Sequence, residues 1–158
     1  MMRTGMRRDD MRRVEAAYRA CHQRLWRALF VWSGNADLAT EAEAEGFAQL
    51  CRGIRQIRDP EAWVWRASFR IAGGFLADNQ TTTDRAIDAV TTIPEPAWEL
   101  AEALSHLSEL QRRCVVLRHV GGFSAEEIAA LVDSTPGSVR VQIHRGLHNL
   151  RRLMEPQR

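Results

Sequence analysis

The stretch Ser124-Ala125-Glu126-Glu127-Ile128-Ala129-Ala130-Leu131-Val132-Asp133-Ser134-Thr135-Pro136-Gly137-Ser138-Val139-Arg140 decides the fold. It holds two helix starts separated by a turn. Ser124 with Glu127 forms a capping box, in which the serine oxygen accepts from the third backbone N–H and the acid reaches back. Ile128, Ala129, Leu131 and Val132 give the first helix an inward face. Asp133-Ser134 is a tight turn, Thr135 the next N-cap, and Pro136 the first residue of the second helix, where its missing N–H removes no bond. A short helix, a brief turn and another helix make the helix-turn-helix arrangement, whose second helix enters a major groove.

Reading outward, the second helix divides cleanly into two faces. Val139, Ile143, Leu147 and Leu150 stand at i, i+4, i+8 and i+11, within about 80° of one another at ~100° per residue. The opposite side carries Val141, His144, Arg145, His148 and Arg152, flanked by Arg140, Gln142 and Arg151, with no acid from Arg140 to Arg152. An arginine forks onto guanine O6 and N7, and glutamine pairs with adenine. Arginines that hold phosphates fix register without reading sequence. His144 and His148 have metal-ligand spacing, but no third ligand is in register and H-E-x-x-H is absent, so no metal is expected. Upstream, Ser108 and Gln111 form a second capping box for a helix with Leu110, Cys114, Val115, Leu117 and Val120, ended by Gly121-Gly122. Trp98 to Leu107 forms a short amphipathic helix before it.

The first half is also helical in pattern. Val14, Ala17, Tyr18, Cys21, Leu25, Ala28, Leu29 and Trp32 form a stripe over 10–32, stopped by Ser33-Gly34-Asn35. A second helix over about 37–52 sets Leu38, Ala42, Phe47 and Leu50 among Glu41, Glu43 and Glu45. Pro60 opens a third, which runs to about 77 with Gly73-Gly74 as a weak point. From Asp78 to Pro96 the periodicity collapses into polar, β-branched and proline residues. The predicted architecture is all-α: two small helical domains, 10–78 and 98–154, joined by a flexible polar and acidic linker over 79–97, with the helix-turn-helix in the second.

Composition narrows the function. The chain has 158 residues, 45% apolar and 27% charged, and its 22 basic residues are all arginine. Residues 1–27 hold 8 Arg against 3 acids and residues 111–158 hold 8 against 4, whereas residues 76–110 hold 7 acids against Arg85 alone. Basic blocks on either side of an acidic one suit two polyanion-binding surfaces. No run approaches the ~18 apolar residues of a membrane span, and the basic start lacks an apolar h-region, so no secretory signal is expected. Cys21, Cys51 and Cys114 are too scattered for a disulfide framework or a metal site. No Ser/His/Asp set, Gly-rich phosphate loop or paired carboxylates in an apolar setting stands out, so neither enzymatic activity nor a cofactor is expected.

Leu107-Ser108-Glu109-Leu110-Gln111-Arg112-Arg113, Val116-Leu117-Arg118-His119-Val120, Phe123 to Leu131 and Gly137-Ser138-Val139-Arg140 together resemble region 4 of bacterial sigma factors, in the small extracytoplasmic-function group. The first half is similar to region 2. Leu38-Ala39-Thr40-Glu41-Ala42 with Phe47 resembles the acidic segment that grips the β′ clamp helices of RNA polymerase. Pro60-Glu61-Ala62-Trp63-Val64-Trp65-Arg66-Ala67-Ser68-Phe69-Arg70-Ile71-Ala72 resembles the segment that reads and opens the −10 element. The resemblance covers about 10–78 and 99–153.

It implies a bacterial cytoplasmic initiation factor without a membrane anchor. The implied partners are core RNA polymerase (β′ clamp helices and β flap), promoter DNA and an anti-sigma factor. Arg140, Val141, His144 and Arg145 would face −35 bases, with Thr135, Ser138, His148 and Arg118 on the same DNA. Leu38, Glu41, Ala42, Glu45 and Phe47 would bind polymerase. Arg55, Arg58, Trp63, Trp65, Arg66 and Arg70 would serve the −10 element, where flipped bases stack on aromatics and the strand is anionic. Two departures stand out. Val141 replaces the small polar residue frequent in relatives, and Phe75-Leu76-Ala77-Asp78-Asn79-Gln80 replaces an arginine-rich helix end, weakening duplex engagement upstream of −10. The competing reading is a helix-turn-helix regulator whose N-terminal half dimerises or senses a ligand; the region-2-like segments argue against it.

Overall fold

A computed structural model of the chain describes residues 5–78 and 93–156. Every regular element among them is helical. Helix α1, Arg8–Ser33, buries Val14, Ala17, Cys21, Leu25, Ala28, Leu29 and Trp32 of the expected stripe, but Tyr18 is exposed, its ring lying at the surface against His22 and Phe47. Near its end it buries Phe30 and Val31 as well, because other helices cover more than one of its sides there. Gly34, at φ 69°, ends it with an N–H donated to the Phe30 carbonyl at 2.7 Å. That left-handed conformation is one glycine adopts without a Cβ penalty.

Asn35 then caps α2, Ala36–Gly53, by accepting from the Leu38 N–H at 3.0 Å. A short 3-10 turn, Ile54–Gln56, leads to α3, Pro60–Asp78, whose first turn is capped by Asp59 accepting from Ala62 N–H at 3.2 Å. Arg13 on α1 holds that turn by donating to the carbonyls of Ile54, at 2.9 Å, and Ile57. Helix α3 passes through Gly73-Gly74 unbroken. Leu25, Leu29, Leu50 and Val64 lie fully inside this three-helix unit.

The expected linker falls mostly on residues 79–92, outside the described residues. The next helix, α4, spans Glu95–Ser105 and so begins earlier than the Trp98 start predicted. Pro94 takes the extended cap position and Pro96 fits the first turn, where neither proline breaks a helical bond. Helices α5, Glu109–His119, α6, Ala125–Leu131, and α7, Pro136–Met154, complete the chain.

Both bonds of the Ser124–Glu127 box are made, each at 3.1 Å. Of the Ser108–Gln111 box only the serine half forms, with Ser108 Oγ accepting from Gln111 N–H at 3.3 Å. Gln111 lies instead where α7 crosses α5 at Gly146. Asp133 sits at φ 53°, a left-handed turn position that short polar side chains tolerate. Thr135 caps α7 by accepting from Ser138 N–H at 3.2 Å.

The two halves pack on each other. Phe30 of α1 meets Trp98 of α4 edge-on at 4.8 Å between ring centroids, and Trp65 of α3 meets Phe123, in the α5–α6 loop, at 4.9 Å. Arg112 and Arg113 of α5 lie over the Trp32 ring at 5.3 and 5.5 Å. Buried side chains from both halves therefore join in one continuous cluster. Units this small bury a limited fraction of their surface alone, so the shared contact adds stability to each. No helix among the described residues is long and apolar enough to cross a membrane.

Candidate nucleic-acid interface

Helix α7 presents the face its sequence predicts. Val139 is buried, Ile143, Leu147 and Leu150 pack against the core, and Arg140, Val141, His144, Arg145, His148, Arg151 and Arg152 are exposed. Val141 is 45% exposed, an apolar side chain held in water among arginines and histidines. Its methyls suit a thymine methyl in a groove. Arg145 makes no ion pair with the described residues. Arg140 donates to the Glu126 carboxylate across the turn. A backbone N–H at the start of α6, together with the Arg140 guanidinium, holds that carboxyl below its usual range. Both side chains are about 60% exposed, and ion pairs so solvated contribute little, so a phosphate or base competes readily for Arg140. Arg118 spans the α5–α6 loop, its Nη1 donating to the Phe123 carbonyl at 3.0 Å. Thr135 and the Ser138 N–H are committed to the helix cap.

The α3 candidates occupy different ground. Arg58, Trp63 and Arg66 line a cleft of about 550 Å³ whose far wall is Phe123, Glu127, Ala130 and Leu131 of the second half. Trp65, Arg66, Phe69 and Arg70 line an adjoining cleft of about 380 Å³, closed by Arg113, Leu117, Leu131 and Asp133. Arg66 also donates to the Ala130 carbonyl at the end of α6. Trp65 is 1% exposed. Arg70 reaches Gln49 Oε1 at 3.4 Å, and Arg55 stands apart, paired with Asp10 at 3.1 Å.

On α2, Leu38, Ala42 and Phe47 are buried in the first unit's core, and the outer edge is left to Glu41 and Glu45. Glu45 accepts from Gln49 at 3.1 Å and Arg52 at 3.0 Å, and these bonds hold its carboxyl below its usual range. Glu43 turns inward. Its side chain is 13% exposed, His22 Nδ1 lies 3.6 Å away, and burial pushes the carboxyl up to about 7. Glu41, Glu43 and Glu45 therefore do not converge on one point, and no group of three His, Cys, Asp or Glu among the described residues is placed to hold a metal.

Residues 97–150 match the family model for sigma-70, region 4. The chain is 43% identical over 96 residues to the ECF RNA polymerase sigma factor ShbA of Streptomyces griseus, covering 57% of this chain and 50% of that protein. It is 52% identical over 65 residues to the ECF RNA polymerase sigma factor SigD of Mycobacterium tuberculosis, covering 37% of this chain and 31% of SigD. The family match is thus to a sigma-70 region 4 in the second half, and over about half of its length the chain is similar to extracytoplasmic-function sigma factors.

It spans about half the length of the curated relatives it matches. The sigma factor RpoE of Bartonella quintana, solved with the anti-sigma factor NepR, shares the fold: TM-score 0.70 at 19% identity, over 96% of this chain and 100% of that one.

Three placements escaped the sequence pattern. Gly146 is buried where α7 crosses α5, and reads in sequence only as a weak helix residue. Tyr18 stacks on His22 at 4.2 Å and meets Phe47 edge-on at 5.1 Å, making an aromatic step beside Glu43 on the α1–α2 surface. Arg112 and Arg113, adjacent in sequence, both cover Trp32. The double arginine was a visible signal, but its partner lies 80 residues away.

Proposed function

We propose that this chain is a sigma-type initiation factor with no chemistry of its own. It binds core RNA polymerase, sets α7 into the major groove of a −35 element, and brings α3 to the single strand of a −10 element. One observation carries the reading: the acid-free, solvent-open face of α7 beside a doubly capped helix-turn-helix. On that face Arg140, Val141, His144 and Arg145 read bases, and His148, Arg118 and the α7 N-terminus at Thr135 and Ser138 sit at the backbone. Arg58, Trp63, Trp65, Arg66 and Arg70 supply the cationic and stacking groups for the strand, with Arg55 at its edge.

Polymerase binding falls to Glu41 and Glu45. Leu38, Ala42 and Phe47 act from beneath, by fixing the α2 surface. An anti-sigma factor is a further proposed partner, supported by the shared fold with a sigma factor solved in such a complex.

The decisive experiment adds the chain to sigma-free core polymerase on a genomic promoter library and sequences run-off transcripts. Promoter-specific starts that share a −35 motif are expected. A chain that neither co-purifies with core polymerase nor yields a specific transcript would overturn the reading, and a helix-turn-helix regulator would then account for any duplex binding.

A further inference from the structure

We propose that the cavity between α1, α2 and the start of α4 is a binding site for a small amphipathic amine, whose apolar body fills the cavity and whose ammonium group meets the carboxylate of Glu43. The site shares no residue with the groove-facing side of α7 or with the α3 candidates, and it does not depend on the sigma reading.

The chemistry starts from an unmet bond. Glu43 Oε1 is buried and finds no hydrogen-bond partner. His22 Nδ1 stops 3.6 Å short of it, and the His22 ring is itself stacked on Tyr18 at 4.2 Å. A buried acceptor without a donor is costly, and native folds rarely keep one without a use. Burial also pushes the Glu43 carboxyl up to about 7, as expected of an anion that lacks a close counter-charge.

The space beside Glu43 suits a ligand that ends in a cation. Glu43 and His22 line a cavity of about 770 Å³, a volume typical of small-molecule sites. Most of the remaining wall is apolar: Trp26, Phe30 and Val31 of α1, Ile93 and Ala97 at the start of α4, and Val120 at the end of α5. Trp26 and Phe30 stack at 5.5 Å between centroids, and Trp26 Nε1 is spent on Thr40 Oγ1 at 3.0 Å. The indole therefore offers a ligand its ring face, which attracts cations, rather than its N–H. Arg27 also lines the cavity, but it is exposed, so water and salt screen its charge. A carboxylic acid bound here would set a second carboxylate against Glu43, whereas an alcohol would meet the hydrogen bond without the charge.

The experiment titrates the full nitrogen-15-labelled chain with octylamine, octanol and octanoate, each below its micellar concentration, and follows the indole N–H signal of Trp26. At pH 8 the Glu43 carboxyl is mostly ionised and an alkylamine keeps its proton. Octylamine should shift the signal saturably. Octanol, of equal length and uncharged, should bind about tenfold more weakly, as hydrogen bonds to charged groups exceed neutral ones. Octanoate should not saturate. Glu43→Gln keeps the size of the side chain and removes its charge, so it should bring octylamine to the affinity of octanol and leave octanol unchanged. Ala97→Trp, which fills the cavity from the α4 side, should remove both, with circular dichroism confirming that each variant is folded.

Octylamine that binds Glu43→Gln as tightly as the unmodified chain, octanoate that binds as well as the amine, or binding that survives Ala97→Trp would overturn the site. So would the absence of any saturable shift, the outcome expected if a second copy or another part of the chain fills the cavity. Failure of the sigma reading would show separately, as loss of core polymerase co-purification with these titrations unchanged.

Discussion

Gly146 offers the sharpest test of how α7 is held. A methyl group placed on it falls 2.7 Å from Val115 Cγ2 and 3.5 Å from Gln111 Cβ and O. Two carbons rest comfortably at about 3.5–4.0 Å, so the first contact is a collision. Val115 is 4% exposed and β-branched, with one favoured χ1 rotamer in a helix, so its methyl has nowhere to turn. Replacing an interior helical glycine by alanine gains about 0.8–1.0 kcal/mol in propensity. Overpacking a tight site costs about 1–3 kcal/mol. Gly146→Ala should therefore lose about 1 kcal/mol net, where propensity alone predicts a gain.

The double variant decides the mechanism. Val115→Ala removes the obstructing methyl, so the pair should be more stable than the sum of the singles by about 1–2 kcal/mol. Urea denaturation followed by far-UV circular dichroism measures all four corners of the cycle. Additive singles, or Gly146→Ala more stable than the unmodified chain, would refute the close approach of α5 and α7. Because the same crossing sets the tilt of α7, Gly146→Ala should also weaken −35 duplex binding, and Val115→Ala should restore part of it.

Three further outcomes follow from the other sites. Arg145→Ala should cost about 1–3 kcal/mol on a cognate −35 duplex in a salt-controlled anisotropy assay; an equal loss on random duplex would make it a phosphate contact. Glu41→Arg should lower affinity for core polymerase with isolated −35 binding unchanged, and the reverse pattern would remove α2 from that role. Glu43→Gln should stabilise the fold in a pH-dependent way. A carboxyl raised in the folded state to about 7 loses stability as pH rises from its ordinary value of 4.5 and has lost all of it above about 7. The glutamine variant escapes that loss, so its advantage should be small at pH 5 and reach about 1–3 kcal/mol at pH 8, discounted for partial hydration and the nearby His22; an advantage that shrinks with rising pH would reverse the assignment.

Local chemistry made most of the architecture readable. Thr135-Pro136 and Ser124 with Glu127 mark helix starts because they satisfy backbone N–H groups within four residues, and the faces of α7 follow from rotation per residue alone. The same logic separates Val139 and Ile143 from His144 and Arg145 without any knowledge of the neighbouring helices. The placements that the sequence did not show share a different cause. Leu38, Ala42 and Phe47 belong to a binding motif by resemblance, yet they are the apolar stripe of α2 and the core claims them. Glu43 turns inward because α1 lies over that side of α2, which the alternation of Glu41, Glu43 and Glu45 does not encode. Trp65 reads as a stacking residue from its type, but Phe123, 58 positions later, covers it, and no periodicity reports a contact at that separation. The start of α4 at Glu95 was hidden by prolines that normally end helices and here begin one.

The division of labour within α7 has a consequence for how such chains diversify. Orientation is secured by the Thr135 hydroxyl at the helix start, the Val139 side chain and the bare backbone at Gly146, and the last two are buried against the rest of the fold. The solvent side from Arg140 to Arg152 carries little structural duty, so under the proposed function exchanges there would alter which duplex is preferred while the scaffold holds.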